Sequence, residues 1–267
     1  MENGTAMANR GAAAELLSKV PQVTIFFWII KILCTTVGET LSDFININLG
    51  LGLVPTTVIM GAAFAVVLFM QFKSSKYIPW LYWLTVVLIS VFGTLVTDNL
   101  TDGLGVPLMD STAVFSVALA LTFAFWFASE HSLSIHSIYT PKREAFYWLA
   151  ILFTFSLGTA VGDLYAEQFG FGYLNTGIVV AVLIAAIYAA WDKLHLINPV
   201  PAFWFAYIMT RPLGASCGDY LSQPVKNGGL GFGATITSVF FLAAILSVVA
   251  YLMVTKCDTE QGIARSK

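Results

Sequence analysis

The chain has 267 residues, 58% of them hydrophobic and 10% charged, with a formal net charge of -2 and a mean hydropathy of +0.80. Soluble domains are about a quarter charged, so the composition excludes an ordinary soluble fold, and the lack of a basic excess excludes a nucleic-acid partner. What remains is an integral membrane protein whose first partner is the lipid bilayer.

Residues 1–21 carry Arg10 and Lys19 but no cationic start, apolar stretch and small-residue cleavage site in succession. They read as a cytoplasmic tail rather than a signal peptide. Eight apolar runs follow, near residues 22–44, 54–72, 78–100, 112–129, 144–166, 174–191, 200–221 and 233–254. A helix needs about 20 apolar residues to cross the hydrocarbon core, and runs this long and continuous are unlike barrel strands. The predicted fold class is an all-α membrane protein with eight transmembrane helices, closed by a polar tail at 255–267.

Lys73 and Lys76, Lys142 and Arg143, and Lys193 fall in the even-numbered connections, and Lys256, Arg265 and Lys267 in the final tail; the odd-numbered connections hold Lys226 alone. The positive-inside rule then puts both termini in the cytoplasm, and a cell inner membrane is the expected location. Trp28, Trp80, Trp83, Trp148 and Trp204 lie early in odd helices and Trp126 and Trp191 late in even ones, a one-sided aromatic belt. Cys34, Cys217 and Cys257 form no C-x-x-C pair, so neither a disulfide framework nor a zinc knuckle is indicated. His131, His136 and His195 sit in or near cytoplasmic connections, where solvated histidines are expected.

A short acidic motif occurs four times. Aligned on an acid, the copies read CTTVGETLSD, GTLVTDNLTD, GTAVGDLYAE and GASCGDYLSQ. The leading acids are then Glu39, Asp98, Asp163 and Asp219, and one helical turn later come Asp43, Asp102, Glu167 and Gln223. A proline opens each odd helix (Pro21, Pro79, Pro141, Pro199), where its missing N–H is harmless. Glycine pairs follow each acid (Gly50 and Gly52, Gly103 and Gly105, Gly170 and Gly172, Gly231 and Gly233). The domain 22–254 thus divides into repeats at about 22–76, 77–139, 140–197 and 198–254. With two helices each, the repeats enter the membrane in one direction as four parallel helical hairpins related by an axis along the membrane normal.

In its GTAVGDL and GASCGDYL type motifs the chain resembles a family of bacterial membrane-anchored proteins defined by a repeat of unknown function, from about Lys19 to Val254. The resemblance implies the repeat architecture and carries over no catalytic residues.

Ionisable groups within a bilayer are costly, about 2.5 to 3.5 kcal/mol each on insertion scales, and face pathways or partners. Residues four apart share a helical face, so four repeats around one axis predict a ring of seven carboxylates and one amide. Lys31 and Arg211, each eight residues before a leading acid, are the expected counter-charges; Ser90 and Phe155 take that place in the middle repeats. Protons or a bound cation must neutralise the rest. Oxygen ligands suit Mn²⁺ or Mg²⁺, with Glu39, Asp98, Asp163 and Asp219 as the candidate metal set and Thr35, Thr36, Thr94 and Thr159 as further oxygens. Clustered carboxylates titrate as a group, so an entering cation displaces protons.

The reading is a secondary transporter of a small cation coupled to protons, with no enzymatic activity. A channel or solute pore, a buried ion-pair network holding the helices in register, and an intramembrane aspartyl protease are the alternatives. The last is disfavoured by Ala160 and Ser216, which stand where that family's motif has its first glycine.

Overall fold

The computed structural model describes residues 18–259; Arg10, Arg265 and Lys267 of the two tails lie outside them. Among the described residues there is no strand, and eight helices follow one another: α1 (Ile25–Asp43), α2 (Leu53–Lys73), α3 (Pro79–Asp98), α4 (Leu108–Glu130), α5 (Pro141–Asp163), α6 (Tyr173–Tyr188), α7 (Pro199–Ser222) and α8 (Gly233–Thr255). Seven are long and apolar enough to cross a membrane; α7 is the exception, because Arg211, Pro212 and Asp219 interrupt it.

Proline sits at the first turn of α3, α5 and α7, as its fixed φ favours. Pro21 does not: α1 begins four residues later, at Ile25. Thr140 caps α5 by accepting a hydrogen bond from the Arg143 backbone N–H at 3.3 Å, filling one of the orphan donors at a helix start.

The odd helices form a closed ring in which α1 touches α3, α3 touches α5, α5 touches α7 and α7 returns to α1. The even helices form an outer layer. Each leans on the next repeat's ring helix, α2 on α3, α4 on α5 and α6 on α7, while α8 closes the circle on α1. This corrects the simple hairpin picture, in which the two helices of a repeat pack on each other: each outer helix instead seals a seam to the following repeat. The layers differ in exposure as this predicts. The spans containing α1, α3 and α5 are 61–72% buried and those of the outer helices only 17–28%, so the outer helices leave most of their apolar surface uncovered by the rest of the chain.

All four ring helices start at one end. There the Gln22 N–H donates to the Asp258 carbonyl (3.0 Å), the Lys19 N–H to the Ile138 carbonyl (3.1 Å), and the Trp204 indole to the Leu133 carbonyl (2.9 Å). Lys19 Nζ also makes a buried ion pair with Glu144 at 2.7 Å. The ring helices therefore run parallel and all their acidic ends share the opposite end, at the odd-numbered connections. These turn on left-handed glycines such as Gly50 (φ 70°) and Gly105 (φ 69°), where a Cβ is disfavoured. Gly103, expected to be a turn glycine, instead closes a π-helical turn with ordinary φ.

Candidate functional site

Close contacts around the ring fix the repeat register. A Cβ on Gly38 would collide with Ser90, on Gly93 with Phe155, on Gly158 with Arg211, and on Gly214 with Thr35. These four glycines each stand five residues before an aspartate: Asp43, Asp98, Asp163 and Asp219. Each glycine thus takes in the residue eight before the next repeat's aspartate, once per seam around the whole ring. Three of the aspartates also stand directly before a π-helical turn, Phe44–Asn48, Asn99–Gly103 and Leu164–Gln168.

The equivalent acid of the first repeat is therefore Asp43 rather than Glu39, and the expected alignment was four residues out there. The motif CTTVGETLSD offers two acids one turn apart, and spacing from the acid alone does not choose between them. Packing does, because only a glycine at each helix crossing lets the backbones approach.

In this register the ring has layers. Asp43, Asp98, Asp163 and Asp219 form one, and each lies within electrostatic reach of its ring neighbours. Asp219 is buried; Asp43, Asp98 and Asp163 are half-buried. One turn further out come Asp102 and Glu167, both exposed, and Gln223, whose side-chain amide donates to Asp43 Oδ2 at 3.4 Å. Glu167 accepts a hydrogen bond from the Tyr173 hydroxyl at 3.0 Å. The layers make an acidic mouth at the end of the ring opposite the helix starts.

One turn deeper, Glu39 takes the place held by Thr94, Thr159 and Ala215 in the other repeats. All four are buried. The common partner of Glu39, Thr94 and Thr159 is Arg211, fully enclosed one layer below. Its guanidinium donates to Glu39 Oε2 at 2.7 Å, to Thr159 Oγ1 at 2.7 Å, to Thr94 Oγ1, and to the Thr35 carbonyl at 3.1 Å. One side chain on α7 thereby ties α1, α3 and α5 together. Five donors in a rigid fork suit Arg to this task where Lys would not serve.

Lys31 is not the counterpart of Arg211. It lies one layer further down, beside Tyr207. Its ammonium sits 4.1 Å from the centre of the Phe155 ring and 4.2 Å from that of Tyr207, with no hydrogen-bond partner. Both cations were expected to answer the acids; only Arg211 pairs with one.

The expected metal set is divided in the same way. Among the described residues no three acids, histidines or cysteines stand close enough to hold a metal ion, and Glu39 is committed to Arg211. Cys34, Cys217 and Cys257 are free thiols. Thr94 and Thr159, expected as cation ligands, serve Arg211.

Sequence reasoning missed the polar groups beneath Arg211: Tyr207, then Tyr82 and Tyr147, whose hydroxyls share a 2.5 Å hydrogen bond, and at the far end Tyr77, which donates to Asp258 Oδ2. Their signal was present in the corrected register, in which Tyr82 and Tyr147 hold the same position of successive repeats, one residue before Trp83 and Trp148.

Four segments, 26–77, 81–132, 146–193 and 202–257, match the family model described as Repeat of Unknown Function (DUF347). The matches begin 17 residues before Asp43, Asp98, Asp163 and Asp219 in turn, which is the register set by the glycine contacts. No curated protein and no solved structure matches the chain.

Proposed function

The chain belongs to the DUF347 repeat family, and from that premise we propose that it is a secondary transporter of a small cation, coupled to protons through its ring of repeats. The observation that carries this reading is the Glu39–Arg211 pair directly beneath the four aspartates. Asp43, Asp98, Asp163 and Asp219 draw a cation into the mouth. Glu39 is the acid that the incoming cation and Arg211 compete for. When the cation takes Glu39, the guanidinium loses its charged partner and the joint between α7 and α1 loosens. Clustered carboxylates release protons as the cation binds, which couples the two fluxes. The cation count of the connections orients the tails to the cytoplasm and the mouth to the outside.

A carrier is favoured over a standing pore. Below the mouth the ring interior is filled by Arg211, Phe155, Tyr207, Phe27 and Tyr147, all fully buried, so passage requires the helices to part. The repeats still work in parallel, without the inverted pair common in carriers, and the hinge is then the arginine joint itself.

The competing reading, a static network in register, also draws on Arg211, because removing one partner of a buried pair is destabilising whatever its role. Mn²⁺ uptake and proton movement in proteoliposomes made with the full chain separate the two. Uptake driven by a proton gradient, and weakened about tenfold or more by Asp163→Asn and Asp219→Asn, supports the carrier; tenfold corresponds to about 1.4 kcal/mol of binding. Equal uptake and binding in both variants overturns it. Downhill uptake indifferent to the proton gradient means a pore.

A further inference from the structure

We propose that the ring encloses a proton relay running from the acidic mouth to the opposite end of the molecule through Lys31, Tyr207, Tyr147, Tyr82 and Tyr77, ending on Asp258. The proposal rests on the proton-coupled reading above and names the route that the protons take.

Three observations carry it. The first is Lys31, 1% exposed, and Tyr207, fully buried, whose Nζ and hydroxyl oxygen have no hydrogen-bond partner although the ammonium lies against the Tyr207 ring. Unmet polar atoms this deep are costly, and an apolar residue of Lys31's size would fill the same space. The second is the Tyr82–Tyr147 hydroxyl pair one layer below, in which either oxygen can donate. Tyr147 lies within electrostatic reach of Tyr207, and a water bridging the two completes that step. The third is the exit. The ring of Tyr82 packs edge-on at 5.7 Å from that of Tyr77, and Tyr77 donates to Asp258 Oδ2, whose other oxygen is buried without a partner. Burial pushes the Asp258 carboxyl above its usual range, as suits a group that must take up and release protons.

The chemistry balances without a co-reactant. A proton arriving on Asp258 is passed to the Tyr77 oxygen as Tyr77 gives its own proton onward. Tyr82, Tyr147 and Tyr207 each accept one proton on a lone pair and release one from O–H. Lys31, an ammonium at rest, first gives its proton to a Glu39 carboxylate oxygen once Arg211 has released that residue, and the amine left behind takes the last proton of the series. Only N–H and O–H bonds form and break, and the reverse sequence runs by the same steps. Besides the members named, Cys34 and Arg211 face Lys31 and Glu144 lies near Tyr147.

The test uses the full chain in proteoliposomes holding a pH-sensitive dye, with Mn²⁺ as the probe cation. The double variant Tyr82→Phe, Tyr147→Phe keeps both rings and removes both hydroxyls. Mn²⁺-driven proton movement is expected to fall on the order of tenfold or more, the size of a lost positioned proton-transfer group, while equilibrium Mn²⁺ binding stays within about twofold. A merely structural role for the pair would move both. Tyr77→Phe, near the surface and outside the spans, is expected to reduce proton movement in the same sense and decides the matter where the double variant fails to fold. Wild-type proton movement in a folded Phe variant overturns the relay and leaves the carrier intact. A wild-type protein that moves Mn²⁺ but no protons overturns the relay and the coupling; one that moves neither overturns the carrier, and the relay with it.

Discussion

Arg211 and Lys31 sit one layer apart in the same ring, both shut away from solvent, in opposite surroundings. The guanidinium makes four hydrogen bonds that reach three helices. The ammonium makes none and rests against two aromatic faces, an attraction worth about 2 kcal/mol when desolvated, which offsets only part of the penalty of burying a charge. A charge paired with a carboxylate acts as a joint between elements. One with no polar partner is not explained by stability, and its presence points to what it does.

Four measurements sharpen or break this contrast. The largest effect is expected for Arg211→Met, which leaves Glu39 buried and unpaired and lowers stability by about 3–5 kcal/mol in thermal unfolding of the detergent-solubilised protein. Adding Glu39→Gln recovers part of the loss, and a double-mutant cycle measures how much. Next is Gly158→Ala, whose new Cβ meets the Arg211 side chain and Pro212; overpacking of this kind lowers stability by about 1–3 kcal/mol. Gly162→Ala, one turn along α5, meets Ala215 at an ordinary 3.6 Å and is the matched control, expected to change little.

Lys31→Met comes third, with a change within about 1 kcal/mol and in the stabilising direction, because it removes a buried charge that has no polar partner. A loss as large as that of Arg211→Met would erase the distinction between the two cations.

The smallest effect concerns pH. The Asp258 carboxyl is raised in the folded state mainly by burial, so the folded protein binds its proton more tightly than the unfolded chain. The resulting stability is fully present below the ordinary carboxylate range and is lost as pH rises through the folded value. Asp258→Asn is expected to flatten that part of the stability-versus-pH curve, as read by denaturation at a series of pH values.

Composition and run length made the membrane class and the helices legible, since a polar backbone in lipid has few options beyond the helix. The repeat was legible too, and so were most members of the acidic mouth. Glu39 was not placed correctly. Two acids one turn apart satisfy the same local spacing, and the choice between Glu39 and Asp43 depends on which glycine meets Ser90 across the α1–α3 seam. Lys31 went astray by the same slip, because it was counted from Glu39 in the first repeat, whereas Arg211, counted from Asp219, keeps its place. Tyr207 and the Tyr82–Tyr147 pair carried no motif, as isolated tyrosines in apolar runs read as aromatic filling.

The sequence by itself determined that this chain is built of helical repeats, most of whose helices are long and apolar enough to cross lipid, and that carboxylates recur at one end of alternate helices. Hydrophobic length and periodicity are local properties, readable along a single strand of text. The tertiary structure alone decided which acid is shared with a buried arginine, which cation is left without a partner, and that each outer helix serves the neighbouring repeat. Those facts depend on how closely backbones approach across helix seams, a distance set by pairs of residues far apart in the chain.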